Sequence, residues 1–299
     1  MRPVRLAVSL GDPAGVGPEL LAALAGRDAG LPDNIYLTVF GDRGALERGC
    51  VAAGVDPTLI RELPADGLSE PTPGKLDLVQ VGDALGPVKL GAVDADCGAA
   101  SFEWFSAAVE AVVARSADAV VTGPICKQSW AEAGVQYAGH TGWLAQRFGL
   151  PTVMMLAGPR LRVVPLTVHV PLARVPQLLT RELVLEQLRI LQRALIEDFG
   201  VKRPRIALAG LNPHAGEGGG IGREELEVLI PAAQTLRAEG IDISDPLPAD
   251  GLFPAAIDGG YDAVACPTHD QALIPFKLLQ MHSGVNLTLG LPIVRTSPA

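Results

Sequence analysis

The chain has 299 residues, 48 % of them apolar, with a formal net charge of −9 and an isoelectric point near 5.1. That length holds one large α/β unit or two modest subdomains with ample core. An acidic chain without a Lys/Arg run is a poor partner for nucleic acid or an anionic membrane surface, and no stretch approaches the ~18 apolar residues a membrane span needs.

Short β-like runs alternate with helical stretches from the start. Val4–Leu10 reads as a first strand that stops at Gly11-Asp12-Pro13, which marks it as structure rather than a signal peptide. Further strands are expected at 35–40, 76–81, 118–123, 152–156, 161–168, 205–211, 261–266 and 284–290, many of them unbroken apolar runs. Such runs are buried on both faces, as in a sheet covered by helices. Helices are expected over 98–115 and 180–199, where Leu183, Leu185, Leu188, Leu191, Leu195 and Phe199 broadly follow the helical repeat. Another should open near Gly222, with Glu224 and Glu225 suited to the positive end of its dipole. Residues 64–76 form the best surface loop. The fold class is α/β, a mixed or parallel sheet, with any two subdomains interleaved. Four widely spaced cysteines, Cys50, Cys97, Cys126 and Cys266, with no CxxC pair, argue for free thiols in a reducing cytoplasm.

Two glycine-bearing loops follow strands. Gly11–Glu19 opens a helix but is neither GxGxxG nor a Walker loop. Gly216, Gly218, Gly219 and Gly220 could let backbone approach a ligand, or could simply make a mobile loop.

Of the histidines at 140, 169, 214, 269 and 282, three share a context: His169, His214 and His269 each close a predicted strand. In open α/β sheets ligands bind beyond the carboxyl ends of strands. Three imidazoles delivered there would make a site for Zn²⁺, Co²⁺ or a similar divalent ion; the alternative is three isolated hydrogen-bonding residues at loop mouths. Lys277, two turns past His269, with Asn286 inside the strand at 284–290 and Arg295 shortly after it, would suit a phosphorylated acid, unless they are solvated surface. Thr141, beside His140, could cap the helix 142–148.

The segments GDPAGVGPE, TGPICK, GHTGWL, VHVPL, LNPHAGEGGGIGREE, LPADGLF, HDQ and GVNLTLGLPIVRTS, in order from residue 5 to Ser297, resemble the 4-hydroxythreonine-4-phosphate dehydrogenase family. The resemblance implies a fold like that of isocitrate and isopropylmalate dehydrogenases: a three-layer mixed sheet in two discontinuous subdomains, with the active site in the cleft between them. It implies a homodimer and an oxidation dependent on NAD, with NADP as a variant, and on a divalent metal (zinc, cobalt or magnesium). The phosphorylated hydroxy acid would then lose CO₂ to give 3-amino-2-oxopropyl phosphate, in vitamin B6 biosynthesis. By motif match the metal ligands would be His169, His214 and His269, the last from the partner subunit. Substrate would meet His140, Thr141, Lys277, Asn286 and Arg295. Asp270, Asp250 and Lys127 are candidates for the proton acceptor, and Asp270 could instead orient a histidine. The family pattern continues past its RTS segment into Asp-His-Gly-Thr-Ala and a final helix, resembling an adenosine-binding loop; the sequence given ends at Ala299, and that stretch of the pattern has no counterpart in it. Neighbouring readings are a dehydrogenase of threonate or erythronate 4-phosphate, a phosphate acyltransferase, which needs no histidine metal site, and a non-catalytic metal- or phosphate-binding relative.

Overall fold

A computed structural model describes residues 2–25, 32, 34–64, 72 and 74–298. Most of the surface loop expected at 64–76 therefore lies outside the described residues. The fold is α/β, a large mixed sheet flanked by helices, and the chain divides into two compact units.

The first unit comprises Met1–Gly149 and Pro292–Ser297. Its strands are β1 (Val4–Ser9), β2 (Ile35–Gly41), β3 (Ile60–Leu63), β4 (Leu76–Gln80) and β5 (Ala119–Thr122), with β12 (Val294–Pro298) returning from the far end of the chain. They lie in the order β3-β4-β2-β1-β5-β12 with every pairing parallel. Helices α1 (Gly17–Ala25), α2 (Arg43–Ala53), α3 (Ala95–Val113), α4 (Lys127–Glu132) and α5 (His140–Phe148) belong to this unit. Val8, Leu10, Val39 and Leu78 pack with Leu21, Ala45, Leu46 and Trp104 in one core cluster. Asp42 and Asp94 start α2 and α3 by accepting the backbone N–H three residues on.

The second unit comprises Leu150–Leu291 and Pro298–Ala299. Its strands are β6 (Val153–Ala157), β7 (Arg162–Pro165), β8 (Arg205–Ala209), β9 (Asp242–Leu247), β10 (Ala263–Cys266) and β11 (Val285–Leu289), in the order β11-β6-β7-β10-β8-β9. β6 pairs antiparallel with β11 and β7, and the rest pair parallel. The apolar runs have a physical reason: alternate residues feed opposite faces. Ile206 and Leu208 join Leu188, Leu191 and Leu236 from α7 (Arg181–Glu197) and α8 (Ile230–Ala238). Ala207 and Ala209 join Leu252, Ala256 and Phe276 from α9 (Ala249–Ile257) and α10 (His269–Gln280). The short α6 spans Val175–Leu178.

Several boundaries differ from the sequence expectation. β7 ends at Pro165, so His169 lies four residues beyond the strand rather than closing it. β3, β9 and β12 were not anticipated, and Arg295 sits on β12 rather than after a strand. α5 starts at His140 with Gly139 as its N-cap, so Thr141 is inside the helix and does not cap it. The helix expected near Gly222 is a π-helical turn, Glu225–Leu229, running into α8. Among the described residues no helix is long and apolar enough to cross a membrane.

Candidate active site

In the first unit, a cationic corner forms where β5, β12 and the N-terminus of α5 meet. Arg295 is 5 % exposed, and its Nη2 donates to Thr122 Oγ1 at 2.6 Å and lies 3.3 Å from His140 Nδ1. A guanidinium only donates, so Nδ1 of His140 is the acceptor and the proton of the neutral ring sits on Nε2. Nε2 is buried and has no hydrogen-bond partner among the described residues. Aromatics are 4 % of the chain, yet several gather here: the His140 ring centroid lies 4.6 Å from that of Phe105 and 5.4 Å from that of Trp130. Phe102, Tyr137 and Trp143 extend the cluster. Burial first, then the charges of Arg295 and Lys127, push the His140 pKa down to about 3. Burial lowers Arg295 to about 10, so it stays charged at neutral pH. The corner thus offers one fixed cation and one neutral N–H donor with nothing yet to donate to, which suits an anionic oxygen.

Lys127 opens α4 and passes so close to Gly139 that a Cβ there would stand 3.5 Å from its Cε. The turn that delivers it is fixed by the GDPAG loop. Asp12, 3 % exposed, donates its N–H to Pro124 O at 2.8 Å, and its carboxylate accepts from Ala14 N at 2.8 Å. Burial raises the Asp12 pKa, against the hydrogen bonds from Ala14, Cys126 and Ser129. A Cβ at Gly11, where φ is +81°, would stand 2.4 Å from Pro124 O, so this approach requires glycine.

In the second unit, the three strand-end histidines follow β7, β10 and β8, which are neighbours in the sheet and run parallel. The loops are stitched together: Thr167 Oγ1 donates to Pro267 O at 2.6 Å, and Gln271 Nε2 donates to Gly210 O at 2.8 Å. Thr268 and Gln271 form a capping box that fixes His269 as the first residue of α10. The rings of His169 and His269 stand 5.4 Å apart. His269 Nδ1 lies 2.8 Å from Asp270 Oδ1; a carboxylate accepts, so Nδ1 carries the proton and the Nε2 lone pair of the neutral ring is left for a ligand.

Backbone strain gathers at the same place. His169, His214, Ala215 and Glu217 are four of the five described non-glycine residues with positive φ, the other being Arg115. From His214 to Gly218 every φ lies between +47° and +78°, a left-handed turn five residues long. Each non-glycine residue in such a turn costs ~1–2 kcal/mol, so the surroundings must impose it.

A groove of about 780 Å³ lies in this unit, lined by His169, Asp250, His269 and Asp270 on its polar side and by Val170, Leu172, Phe253, Ile274 and Leu278 on its apolar one. His214, Lys277 and Asn286 do not line it. Lys277 is exposed in the last turn of α10, and Asn286 sits on β11 opposite Leu156. Among the described residues no group of three or more His, Cys, Asp or Glu is placed to hold a metal ion. The expected convergence of three imidazoles is therefore not met within one chain. The donor chemistry suits a divalent ion.

Sequence reasoning missed Thr122 and the aromatic cluster, and took Glu225 only as a partner of the helix dipole. The cluster had a signal, since Phe102, Phe105, Trp130, Tyr137 and Trp143 crowd one stretch of a chain poor in aromatics.

Residues 33–299 match the family described as pyridoxal phosphate biosynthetic protein PdxA. The chain belongs to that family. It is 46 % identical over 298 residues to the 4-hydroxythreonine-4-phosphate dehydrogenase of Erythrobacter litoralis, covering 98 % of this chain and 87 % of the relative. Crystal structures of proteins of that name superpose on it. The Klebsiella pneumoniae enzyme has a TM-score of 0.89 at 31 % identity, covering 98 % of this chain and 90 % of that one. The Burkholderia phymatum protein gives 0.86 at 34 %, covering 100 % and 90 %. These PdxA homologues are named as oxidoreductases of pyridoxal phosphate biosynthesis, and their fold is the isocitrate dehydrogenase-like one.

Proposed function

We propose that this PdxA-family protein oxidises 4-phosphohydroxy-L-threonine with NAD, or with NADP, and that the resulting β-keto acid loses CO₂ to give 3-amino-2-oxopropyl phosphate. The observation that carries the reading is the cationic corner: a buried Arg295 beside a neutral His140 whose Nε2–H is buried and unanswered. These groups, with Lys127 and Thr141, would bind an anionic end of the substrate and orient it. Lys277 and Asn286 are assigned to substrate by their match to the family motifs. His169, His214 and His269 would hold a divalent ion, zinc, cobalt or magnesium. Such an ion, when bound, would lower the pKa of the substrate hydroxyl and hold the ketone oxygen during loss of CO₂. Asp270 would orient His269 through the 2.8 Å contact, which leaves Asp250, on the groove wall, and Lys127 as the candidates to accept the hydroxyl proton. No residue is assigned to the dinucleotide.

The reading includes a homodimer in which the partner completes the histidine set. Its support is the incomplete set within one chain and an apolar stripe on the outer face of α10 and just past its end, where Ile274, Leu278 and Met281 are 65 %, 84 % and 61 % exposed. It includes the cytoplasm as location, supported by four free cysteines. The test is NADH absorbance with 4-phosphohydroxythreonine and NAD, with Zn²⁺ or after chelation. Metal-dependent NADH release supports the reading; no NADH from protein with metal bound sinks it.

A further inference from the structure

We infer that Glu225 is the positioning residue of the His214 loop: its buried carboxylate is the mould around which the left-handed turn of residues 214–218 closes. The inference rests on the reading of His214 as a metal ligand, and extends it to a residue that touches neither substrate nor ion.

Glu225 is 2 % exposed, which is rare for a carboxylate and demands partners. Both oxygens have one. Oε1 accepts the backbone N–H of Asn212 at 2.8 Å and Oε2 accepts Asn212 Nδ2 at 2.9 Å. Those donors belong to the residue two before His214. The loop then folds over the carboxylate from two more sides. A Cβ on Gly210 would stand 3.2 Å from Oε1, and one on Gly216 would stand 2.6 Å from Oε2. The loop also closes on itself through Ala215 N to Asn212 O at 3.1 Å and Ile221 N to Gly216 O at 3.1 Å. Gly210, Asn212 and Gly216 therefore bracket His214 in sequence and surround one carboxylate in space.

The chemistry explains the residue type. Asn212 presents donors to both oxygens, and only a carboxylate accepts on both; a glutamine would turn an amide nitrogen toward a donor. The π-helical turn beginning at Glu225 fits the same role, because such turns are rare overall yet frequent at functional sites. An acidic helix start is thus occupied by a group that faces back into the preceding loop.

The test compares Glu225→Gln with Gly216→Ala, which leaves the carboxylate in place and pushes the loop away from it. Three quantities are read on dimer or monomer as purified: hydrogen–deuterium exchange over residues 212–221 without metal, the affinity for Co²⁺, and the visible absorption spectrum of the Co²⁺ form. We expect folded Glu225→Gln, by circular dichroism, with faster exchange confined to that loop. Its Co²⁺ affinity should fall about 10- to 100-fold, the usual effect of losing a group that orients a ligand, and its spectrum should change. A folded Glu225→Gln protein with wild-type exchange, affinity and spectrum overturns the inference. Should it not fold, Gly216→Ala decides by the same three quantities. If the wild-type protein itself binds no Co²⁺, the reading of His214 as a ligand fails, and the exchange data alone still settle whether Glu225 holds the loop.

Discussion

The two units prepare their functional residues in opposite ways. In the first, Arg295 and the Nε2 of His140 are buried, braced by Thr122 and by aromatic rings, and the two residues stand on relaxed helical and strand backbone. In the second, His169 and His214 are exposed and carried on left-handed backbone, and the groove beside His169 has a large apolar wall. The first corner is finished within one unit and needs only an anion to answer its free donor. The second spends conformational strain on histidines that one chain does not bring into a complete set. Strain of that kind persists where something else, an ion or a second copy, rewards the strained form.

The contrast can be broken at several points. The largest expected effect is His169→Ala: loss of a proposed metal ligand should remove several kcal/mol of charge stabilisation, on the order of 10³-fold in kcat/KM, with reduced bound metal by elemental analysis. An active variant with full metal content would mean that the strained histidine serves another purpose.

Arg295→Met keeps volume and removes the buried charge. About 100-fold should go from kcat/KM, mostly through KM, since a hydrogen bond to a charged group contributes ~1.5–3 kcal/mol and more than one is lost. A change in kcat alone would place Arg295 in the chemistry rather than in anchoring.

The lowered pKa of His140 makes a pH signature. Its folded pKa of about 3 is below the 6.5 of the unfolded ring, so between those values the unfolded chain binds the extra proton. Its contribution is present above pH 6.5 and is lost as pH falls toward 3. Between pH 6.5 and 4.5 the loss is on the order of 2–3 kcal/mol at 1.36 kcal/mol per unit. Denaturant unfolding of wild type and His140→Gln over that range checks it: the gap between them should narrow as pH falls. A constant gap would mean an ordinary, solvated imidazole.

Thr122→Val removes one acceptor from Arg295 and should cost about 1 kcal/mol, five- to tenfold in kcat/KM, without altering metal content. The smallest effect on stability is expected of Leu278→Asp, on the exposed stripe of α10, within ~0.5 kcal/mol. The same change should shift the protein from dimer to monomer in sedimentation velocity, and a wild-type monomer would remove the proposed completion by a partner.

What the sequence disclosed follows from the range of the interactions concerned. β8 and β10 were legible because strands buried on both faces must be apolar throughout, and α7 because Thr180 caps a helix with a regular stripe. That His169, His214 and His269 follow β7, β8 and β10 was legible because an apolar run is local information; that they stand four, five and three residues past those strands was not. β12 was not, since Val-Arg-Thr-Ser-Pro has no apolar pattern and is a strand only by pairing with β5, from which it is some 170 residues distant in the chain, as the 173-residue span of the Arg295–Thr122 bond shows. Arg295 was therefore placed after a strand, a substrate contact with solvated surface as the alternative, when it is buried on β12 itself. The glycines after His214 were read as room for a ligand or as a mobile loop, yet Gly216 clears space for the Glu225 carboxylate, a contact no spacing reveals. Glu225 itself was read as a partner of the helix dipole, which is the right local rule for a residue that answers to the preceding loop instead.

The order of strands in the second unit has a consequence for how the protein is made. β7, β8 and β10 appear in that order along the chain, but β10 lies between the other two in the sheet. During synthesis the segments bearing His169 and His214 both leave the ribosome before the strand that joins them exists. Their strands join one sheet only when Ala263–Cys266 inserts between them, a late, long-range step of the slow kind. A half-made chain lacks the strand that links the two, so the sheet of this unit is complete only once nearly all of it has been translated.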